Sequence, residues 1–134
     1  MTMLADTNVF LRLLTKDDPV KYERCHKLFQ NLVNGKIKLC VSEIVIFEIT
    51  WTLLTYYNLP KEEVITKITS ILNTKNLEIY NKGILTEAIA LYARKNIDFI
   101  DAYNAIVAKD KDLEAIVSYD EDFDKVEFIK RIEP

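Results

Sequence analysis

MTMLADTN, residues 1–8, is the stretch that decides the fold class of this chain. Its first five residues are uncharged, an acid follows directly, and a helical pattern begins after it. A short uncharged run predicts a strand buried on both faces, which is the usual environment in a parallel sheet. Asp6 then lies at the carboxyl end of that strand, where open α/β sheets bind their ligands. The same position also allows Asp6 or Thr7 simply to cap a helix over residues 9–14.

The composition is that of an ordinary globular chain. Its 134 residues are 49% hydrophobic and 29% charged, without linkers or repeats, so we expect a single domain over residues 1–134. No run approaches the roughly 18 apolar residues of a membrane span, and the N-terminal residues lack the basic region followed by an apolar stretch that a secretion signal needs. We therefore expect a cytoplasmic protein, in which Cys25 and Cys40 are reduced thiols. A net charge of −3 argues against binding nucleic acid through bulk positive charge.

Four further strands and five further helices follow the opening stretch. The apolar runs predict strands over residues 37–41, 77–80, 114–119 and 128–132. Between them, helical spacing and end signals such as Asp18-Pro19 and Gly35 predict helices over 19–34, 42–57, 60–72, 84–94 and 98–106. Helices between successive strands favour an α/β architecture with a mainly parallel sheet.

Glu48 is the single charge in the apolar part of the helix over residues 42–57. Such a helix is predicted to be buried, and a buried lone carboxylate costs several kcal/mol unless something pairs with it. Either a basic side chain satisfies Glu48, or Glu48 lines a cleft and meets a cation.

Two more acids occupy similar positions late in the chain. Asp98 and Asp101 are three residues apart at a helix start, so Asp98 is the expected cap, while Asp101 lies at the positive end of the helix and can point into a cleft. Asp120 ends the fourth strand, as Asp6 ends the first. Asp122 and Asp124 follow in a polar stretch, where solvated or capping roles are expected.

Asp6, Glu48, Asp101 and Asp120 thus stand at strand ends or helix starts. Several carboxylates brought close together repel one another unless a divalent ion screens them. Ligation by oxygen alone suits Mg²⁺ or Mn²⁺, which polarise phosphoryl oxygens and activate water. The pattern indicates hydrolysis of phosphodiester bonds.

Four motifs carry a family resemblance that spans nearly the whole chain: Asp6-Thr7-Asn8, Ser42 to Glu48, Asp98-Phe99-Ile100-Asp101-Ala102, and Ser118-Tyr119-Asp120-Glu121-Asp122-Phe123. With these motifs in this order, the chain resembles the PIN-domain ribonucleases, and in particular the VapC-type toxins of prokaryotic toxin–antitoxin pairs. The resemblance implies a three-layer α/β/α sandwich around a central, mainly parallel sheet. It also implies Mg²⁺- or Mn²⁺-dependent RNA cleavage, homodimerisation, and inhibition by an antitoxin that occupies the active-site groove.

By the same resemblance, Asp6, Glu48 and Asp101 are the core metal-binding acids and Asp120 is the fourth. The hydroxyl and amide groups of Thr7, Asn8 and Ser118 would orient the carboxylates and the water of the site. RNA is expected to enter as a single-stranded loop. The candidates for contacts with its phosphates are Arg12, Lys16, Lys109 and Lys125.

Two other functions remain open from the sequence. An aspartyl-phosphate enzyme, either a receiver domain or a phosphatase, also places acids at the ends of parallel strands. The phosphatase needs a second acid two residues after Asp6, where this chain has Asn8. The receiver needs a Lys just beyond a late strand, and this chain offers no clear candidate there. A non-catalytic PIN-like interaction module is the second alternative, and the complete set of acids argues against it.

Overall fold

The computed structural model describes residues 2–134, which form two compact units, one that ends at Tyr80 and one over Asn81–Pro134. The first unit contains β1 (Thr2–Leu4), α1 (Thr7–Thr15), α2 (Pro19–Val33), β2 (Lys38–Val41), α3 (Glu43–Thr55), α4 (Lys61–Leu72) and β3 (Leu77–Ile79). The second contains α5 (Lys82–Arg94), α6 (Phe99–Asp110), β4 (Ala115–Val117), a short 3-10 helix (Glu121–Lys125) and β5 (Lys130–Ile132). Every predicted strand and helix is present, and the 3-10 helix takes the place of the polar stretch expected after Asp120.

Each unit has its own parallel sheet. In the first unit the strand order is β1-β2-β3, with Met3 opposite Leu39 and Cys40 opposite Glu78. In the second unit β4 pairs with β5, and Ile116 lies opposite Arg131. All of these pairings are parallel, and a helical crossover connects each pair of strands, as parallel pairing requires. The predicted α/β class with parallel pairing is confirmed.

The first strand differs from its prediction. Instead of being buried on both faces, β1 is an edge strand of its sheet, and Thr2, Met3 and Leu4 are all exposed, Leu4 at 71%. The apolar run correctly indicated a strand. It could not indicate what covers that strand, because burial depends on neighbours that are distant in sequence.

The ends of α2 follow local chemistry. The Asp18 side chain accepts a hydrogen bond of 3.0 Å from the backbone N–H of Lys21, and Pro19 occupies the first turn. At the other end, Gly35 has a φ of +77°, a conformation that is easily reached only without a side chain. The backbone N–H groups of Gly35 and Lys36 donate to the carbonyls of Leu32 and Asn31, which closes the helix in a Schellman motif.

The core of the first unit is formed mainly by α3 and α4, which pack together and bury Ile46, Ile49, Leu53, Val64 and Ile68 completely. At about 1.5–3 kcal/mol for each buried branched side chain, this contact is a main source of the unit's stability. The sequence predicted that α3 is buried on all sides, but one side of the helix is exposed. Ile44 is 73% exposed and Trp51 is 64% exposed.

The second unit is built on the contact between α5 and α6. Ala102, Ala105 and Ala108 are buried along one face of α6, and these small side chains allow the backbones of the two helices to approach closely. Opposite them, α5 buries Leu85, Ala88 and Leu91. Among the described residues, no helix combines the length and the apolar character that crossing a bilayer requires.

Candidate active site

Asp101 lies in the first turn of α6 and is half-buried. Burial raises the pKa of its carboxyl group, and the negative charges of Asp120, Asp98 and Asp122 raise it further. Burial and like charges both disfavour the ionised form, so a cation nearby would stabilise the ionised carboxylate. This environment is typical of a functional carboxylate rather than of a simple helix-end charge.

Asp120 is fixed by the turn that follows β4. Its backbone N–H donates to Ser118 Oγ at 2.9 Å, and its own Oδ1 accepts from the backbone N–H of Asp122 at 2.9 Å. Ser118 in turn is held to β5, because its backbone N–H donates to the carbonyl of Ile132 at 2.9 Å. The strand pair therefore sets the position of Asp120 through Ser118.

Asp122 completes a cluster that the sequence prediction missed. Carboxylate oxygens of Asp101, Asp120 and Asp122 all lie within 4.8 Å of one another. Oxygens this close together could hold one divalent ion, and Asp101, Asp120 and Asp122 would be its ligands. An all-carboxylate donor set also fits Mg²⁺ or Mn²⁺. The available signal was the acid two residues after Asp120, which sequence reasoning assigned to solvent or to capping.

Two basic side chains balance the acids of this turn. Lys125 Nζ lies 2.7 Å from Asp122 Oδ1 and also donates to the carbonyl of Asn96 at 2.9 Å. Arg131 donates to both oxygens of Asp124, at 2.9 and 3.1 Å, and to the carbonyl of Ser118 at 3.1 Å. The bidentate pair with Arg131 lowers the pKa of the Asp124 carboxyl group, so Asp124 has a structural partner. The sequence prediction did not identify Arg131, because a basic residue in an edge strand gives no distinctive signal.

Asp6 occupies the N-cap position of α1, but its side chain makes no capping hydrogen bond. The hydroxyl of Thr7 does not cap the helix either. Thr7 is only 5% exposed, and its Oγ1 has no hydrogen-bond partner among the described residues. A buried hydroxyl without a partner costs about 1–3 kcal/mol, so this feature calls for an explanation beyond helix capping.

Two predictions about single acids need correction. Glu48 is exposed on α3, not buried, because it lies on the outer side of the helix, one turn from Ile44 and Trp51. It therefore requires no buried partner. Asp98 stands at the N-cap of α6 as predicted, but its side chain forms no capping hydrogen bond.

The four predicted phosphate contacts differ in their surroundings. Arg12 Nη1 is paired with Asp17 Oδ1 at 3.0 Å, and the Lys16 ammonium lies over the ring of Tyr22, 5.0 Å from its centroid. Lys109 is paired with Glu87 at 3.2 Å, and Lys125 with Asp122 as described. Of the four, Lys16 has no ion pair among the residues that the structure describes.

The chain is similar to known proteins over most of its length. The family model described as "PIN domain" matches residues 3–129. A VapC ribonuclease of Aquifex aeolicus (strain VF5) is 30% identical over 131 residues, which are 98% of this chain and 96% of the relative.

Two solved structures resemble the chain more distantly. VapC20 of Mycobacterium tuberculosis, described as a Sarcin-Ricin loop cleaving toxin, is 15% identical with a TM-score of 0.42, over 97% of this chain and 98% of its own. The second is VapBC2 of Rickettsia felis, in a structure with a DNA fragment from the promoter. It is 16% identical with a TM-score of 0.40, over 99% of this chain and 98% of its own. Because the family match covers most of the chain and the Aquifex relative aligns with nearly all of it, the chain belongs to the PIN-domain family, among the VapC-type ribonucleases.

Proposed function

We propose that this protein is the ribonuclease toxin of a VapBC-type toxin–antitoxin pair and that it hydrolyses RNA with the help of carboxylate-bound Mg²⁺ or Mn²⁺. The observation that carries the proposal is the cluster of Asp101, Asp120 and Asp122 in a chain of this family. Three carboxylates so close together repel one another, and a divalent ion removes that cost.

The chain's own residues have distinct parts in this proposal. Asp101, Asp120 and Asp122 would hold the ion, which supplies polarisation of a phosphoryl oxygen and a lower pKa for the attacking water. Ser118 positions Asp120 through the 2.9 Å bond to its backbone, and Arg131 supports Ser118 through its carbonyl. Positioning of this kind counts because small displacements in a reacting centre cost large factors in rate.

Asp6 and Glu48 remain in the proposal as candidate metal-binding acids, as the family resemblance implies, with Thr7 and Asn8 orienting them. The absence of a capping bond from Asp6 supports this role, since its carboxylate is not engaged at the helix start. The unpartnered Thr7 hydroxyl supports it as well, because a ligand or an ordered water would satisfy that group. As an exposed side chain, Glu48 can take up a cation without a burial penalty.

Substrate and partners follow from the same proposal. We expect single-stranded RNA loops as the substrate, with Arg12, Lys16, Lys109 and Lys125 as candidate phosphate contacts. We also expect an antitoxin protein that blocks the site, a homodimer, and action in the cytoplasm.

The decisive experiment is RNA cleavage by protein purified free of antitoxin. Wild type should cut RNA with Mg²⁺ or Mn²⁺, Ca²⁺ should substitute poorly because it coordinates more loosely, and EDTA should stop the reaction. Asp101→Asn and Asp120→Asn should lose most of the activity. Asp110→Asn, which changes an exposed acid at the other end of α6, should cut like wild type. Cleavage that EDTA does not diminish would contradict the metal-dependent mechanism.

The two alternatives give different results. The family match argues against an aspartyl-phosphate enzyme, which would form a stable phosphoprotein with acetyl phosphate. A non-catalytic interaction module would bind RNA or protein without cutting RNA under any metal condition.

A further inference from the structure

A cavity of about 250 Å³ lies between α1 and α2 in the first unit, lined by Asn8, Val9, Arg12, Lys21, Arg24 and Cys25. Three of these six side chains are cationic, in a chain whose net charge is −3. The cavity is therefore a local concentration of positive charge on a chain that is acidic as a whole.

The positive charge of this cavity is largely unpaired. Lys21 and Arg24 are exposed, and neither side chain forms an ion pair within residues 2–134. Two unpaired cations on one wall of a cavity attract an anion.

Arg12 is held in place on the opposite wall. Its Nη1 donates to Asp17 Oδ1 at 3.0 Å, and the hydroxyl of Tyr57 donates to the other oxygen of Asp17 at 2.7 Å. The bonds from Tyr57 and then Arg12 lower the pKa of the Asp17 carboxyl group, so Asp17 stays ionised and anchors the guanidinium. One nitrogen of Arg12 serves this anchor, which leaves the remaining N–H groups of its fork for a ligand.

The nearby acids act on Arg12. Asp17 forms an ion pair with Arg12, and the charge of Asp18 also attracts it. Within residues 2–134 neither acid pairs with Lys21 or Arg24, and Glu23 does not line the cavity. The influence of Arg12 extends to the cavity wall, because burial raises the pKa of the Cys25 thiol while the charge of Arg12 opposes that rise.

We infer that this cavity binds a backbone phosphate of the RNA, held by Arg12, Lys21 and Arg24. The inference rests on the proposed ribonuclease function and adds a substrate-binding site to it. At about 250 Å³ the cavity is smaller than the roughly 300–1,000 Å³ of typical small-molecule sites, so it suits a phosphate group rather than a whole nucleotide. Guanidinium forks bind phosphate oxygens in pairs, and the lysine adds a point charge. Asn8 connects the cavity to the turn that carries Asp6.

Binding of a fluorescent single-stranded RNA tests the inference. Its affinity is measured by fluorescence anisotropy in Ca²⁺, at KCl concentrations between about 50 and 200 mM. Each lost phosphate contact should reduce the slope of log affinity against log salt by about 0.7 on a single strand. Wild type should therefore lose about 2.6-fold more affinity over this salt range than the double variant Lys21→Gln/Arg24→Gln, which no longer holds this phosphate. The matched control is Lys27→Gln, an exposed lysine of α2 outside the cavity, and it should behave like wild type.

Alkylation of Cys25 locates the binding. The half-buried Cys25 thiol lines the cavity, so RNA should slow its modification by iodoacetamide, as measured by mass spectrometry, in wild type but not in the double variant. The inference is overturned if Lys21→Gln/Arg24→Gln keeps the wild-type salt slope, or if RNA binds and leaves Cys25 unprotected. The proposed ribonuclease function fails separately, through the absence of RNA cleavage by wild type in Mg²⁺ and Mn²⁺.

Discussion

At the residue scale, Asp101 experiences opposing electrostatic effects. Its place in the first turn of α6 favours the ionised form by about 0.3–1 kcal/mol through the helix dipole. Burial and three neighbouring acids disfavour that form and raise the pKa of the carboxyl group. The folded protein therefore binds this proton more tightly than the unfolded chain, so without metal the stability falls as pH rises through the interval between the unfolded pKa and the raised folded pKa.

Asp101→Asn should accordingly melt higher than wild type in EDTA near pH 7, by on the order of 1 kcal/mol of unfolding free energy. The difference should narrow on acidification, as the Asp101 carboxyl group of the folded wild type takes up a proton. Mg²⁺ should stabilise wild type more than the variant, because the variant has lost a ligand. Circular dichroism melts give all three results. A variant that melts lower in EDTA and still cuts RNA would make Asp101 a structural residue.

Lys125 provides the complementary test. Its ammonium lies 2.7 Å from Asp122 Oδ1 and offsets part of the repulsion in the acidic cluster. Both side chains are more than 40% exposed, so Lys125→Gln should destabilise the metal-free protein by only about 0.2–1 kcal/mol. Mg²⁺ should then raise the melting temperature more in the variant than in wild type, since the ion screens charges that Lys125 no longer balances. Lys111→Gln, an exposed lysine after α6, is the control, and equal shifts in all three proteins would contradict the role of Lys125.

At the element scale, two helices begin at an Asp with different consequences. The side chain of Asp18 caps α2 through the 3.0 Å bond to the Lys21 N–H, whereas the side chain of Asp98 makes no capping bond to α6. Asp18→Ala should therefore cost about 0.5–2 kcal/mol of unfolding free energy. Asp98→Ala should be close to neutral, because the lost charge–dipole attraction of about 0.3–1 kcal/mol is offset by weaker repulsion on Asp101. Urea titrations of the two variants compare them directly. An Asp98→Ala cost as large as that of Asp18→Ala would show that Asp98 is a true cap.

Helix α3 connects the element scale with the whole molecule. Ile44 and Trp51 are exposed on one side, and Tyr56 at its C-terminal end is 74% exposed, whereas Tyr57 is half-buried and bonded to Asp17. Exposed aromatic and aliphatic side chains of this kind are enriched at protein interfaces. They support the expectation of a homodimer, the commonest closed symmetry.

At the scale of the whole molecule, light scattering should therefore give twice the chain mass of 15.6 kDa at tens of micromolar protein. Trp51→Glu should shift the mass to that of a single chain, because a charge at the centre of an apolar interface is costly to desolvate. Val20→Glu, which places the same charge at an exposed apolar position of α2, should leave the mass of wild type unchanged. A wild type that scatters only as a monomer would rule out the dimer.

Much of this architecture could be predicted from the sequence, because its signals are local. The apolar runs placed all five strands, and Asp18, Pro19 and Gly35 set the limits of α2 through bonds between residues at most five apart. Asp101 and Asp120 were identified because each is an acid at the start or end of a regular element. Their roles in catalysis stay predictions, as do those of Asp6 and Glu48.

Only the tertiary structure decided what depends on distant neighbours. In the tertiary structure β1 and Glu48 are exposed, and the buried Thr7 hydroxyl has no hydrogen-bond partner within residues 2–134. The same structure brings Asp122 close to Asp101 through the turn after β4. Residue types and spacing report what a segment can form, and the sequence therefore determined the elements and their order. Burial and charge clustering arise from contacts between segments that are far apart in the chain. For that reason, only the tertiary structure identified the three acids of the acidic cluster and the basic cavity between α1 and α2.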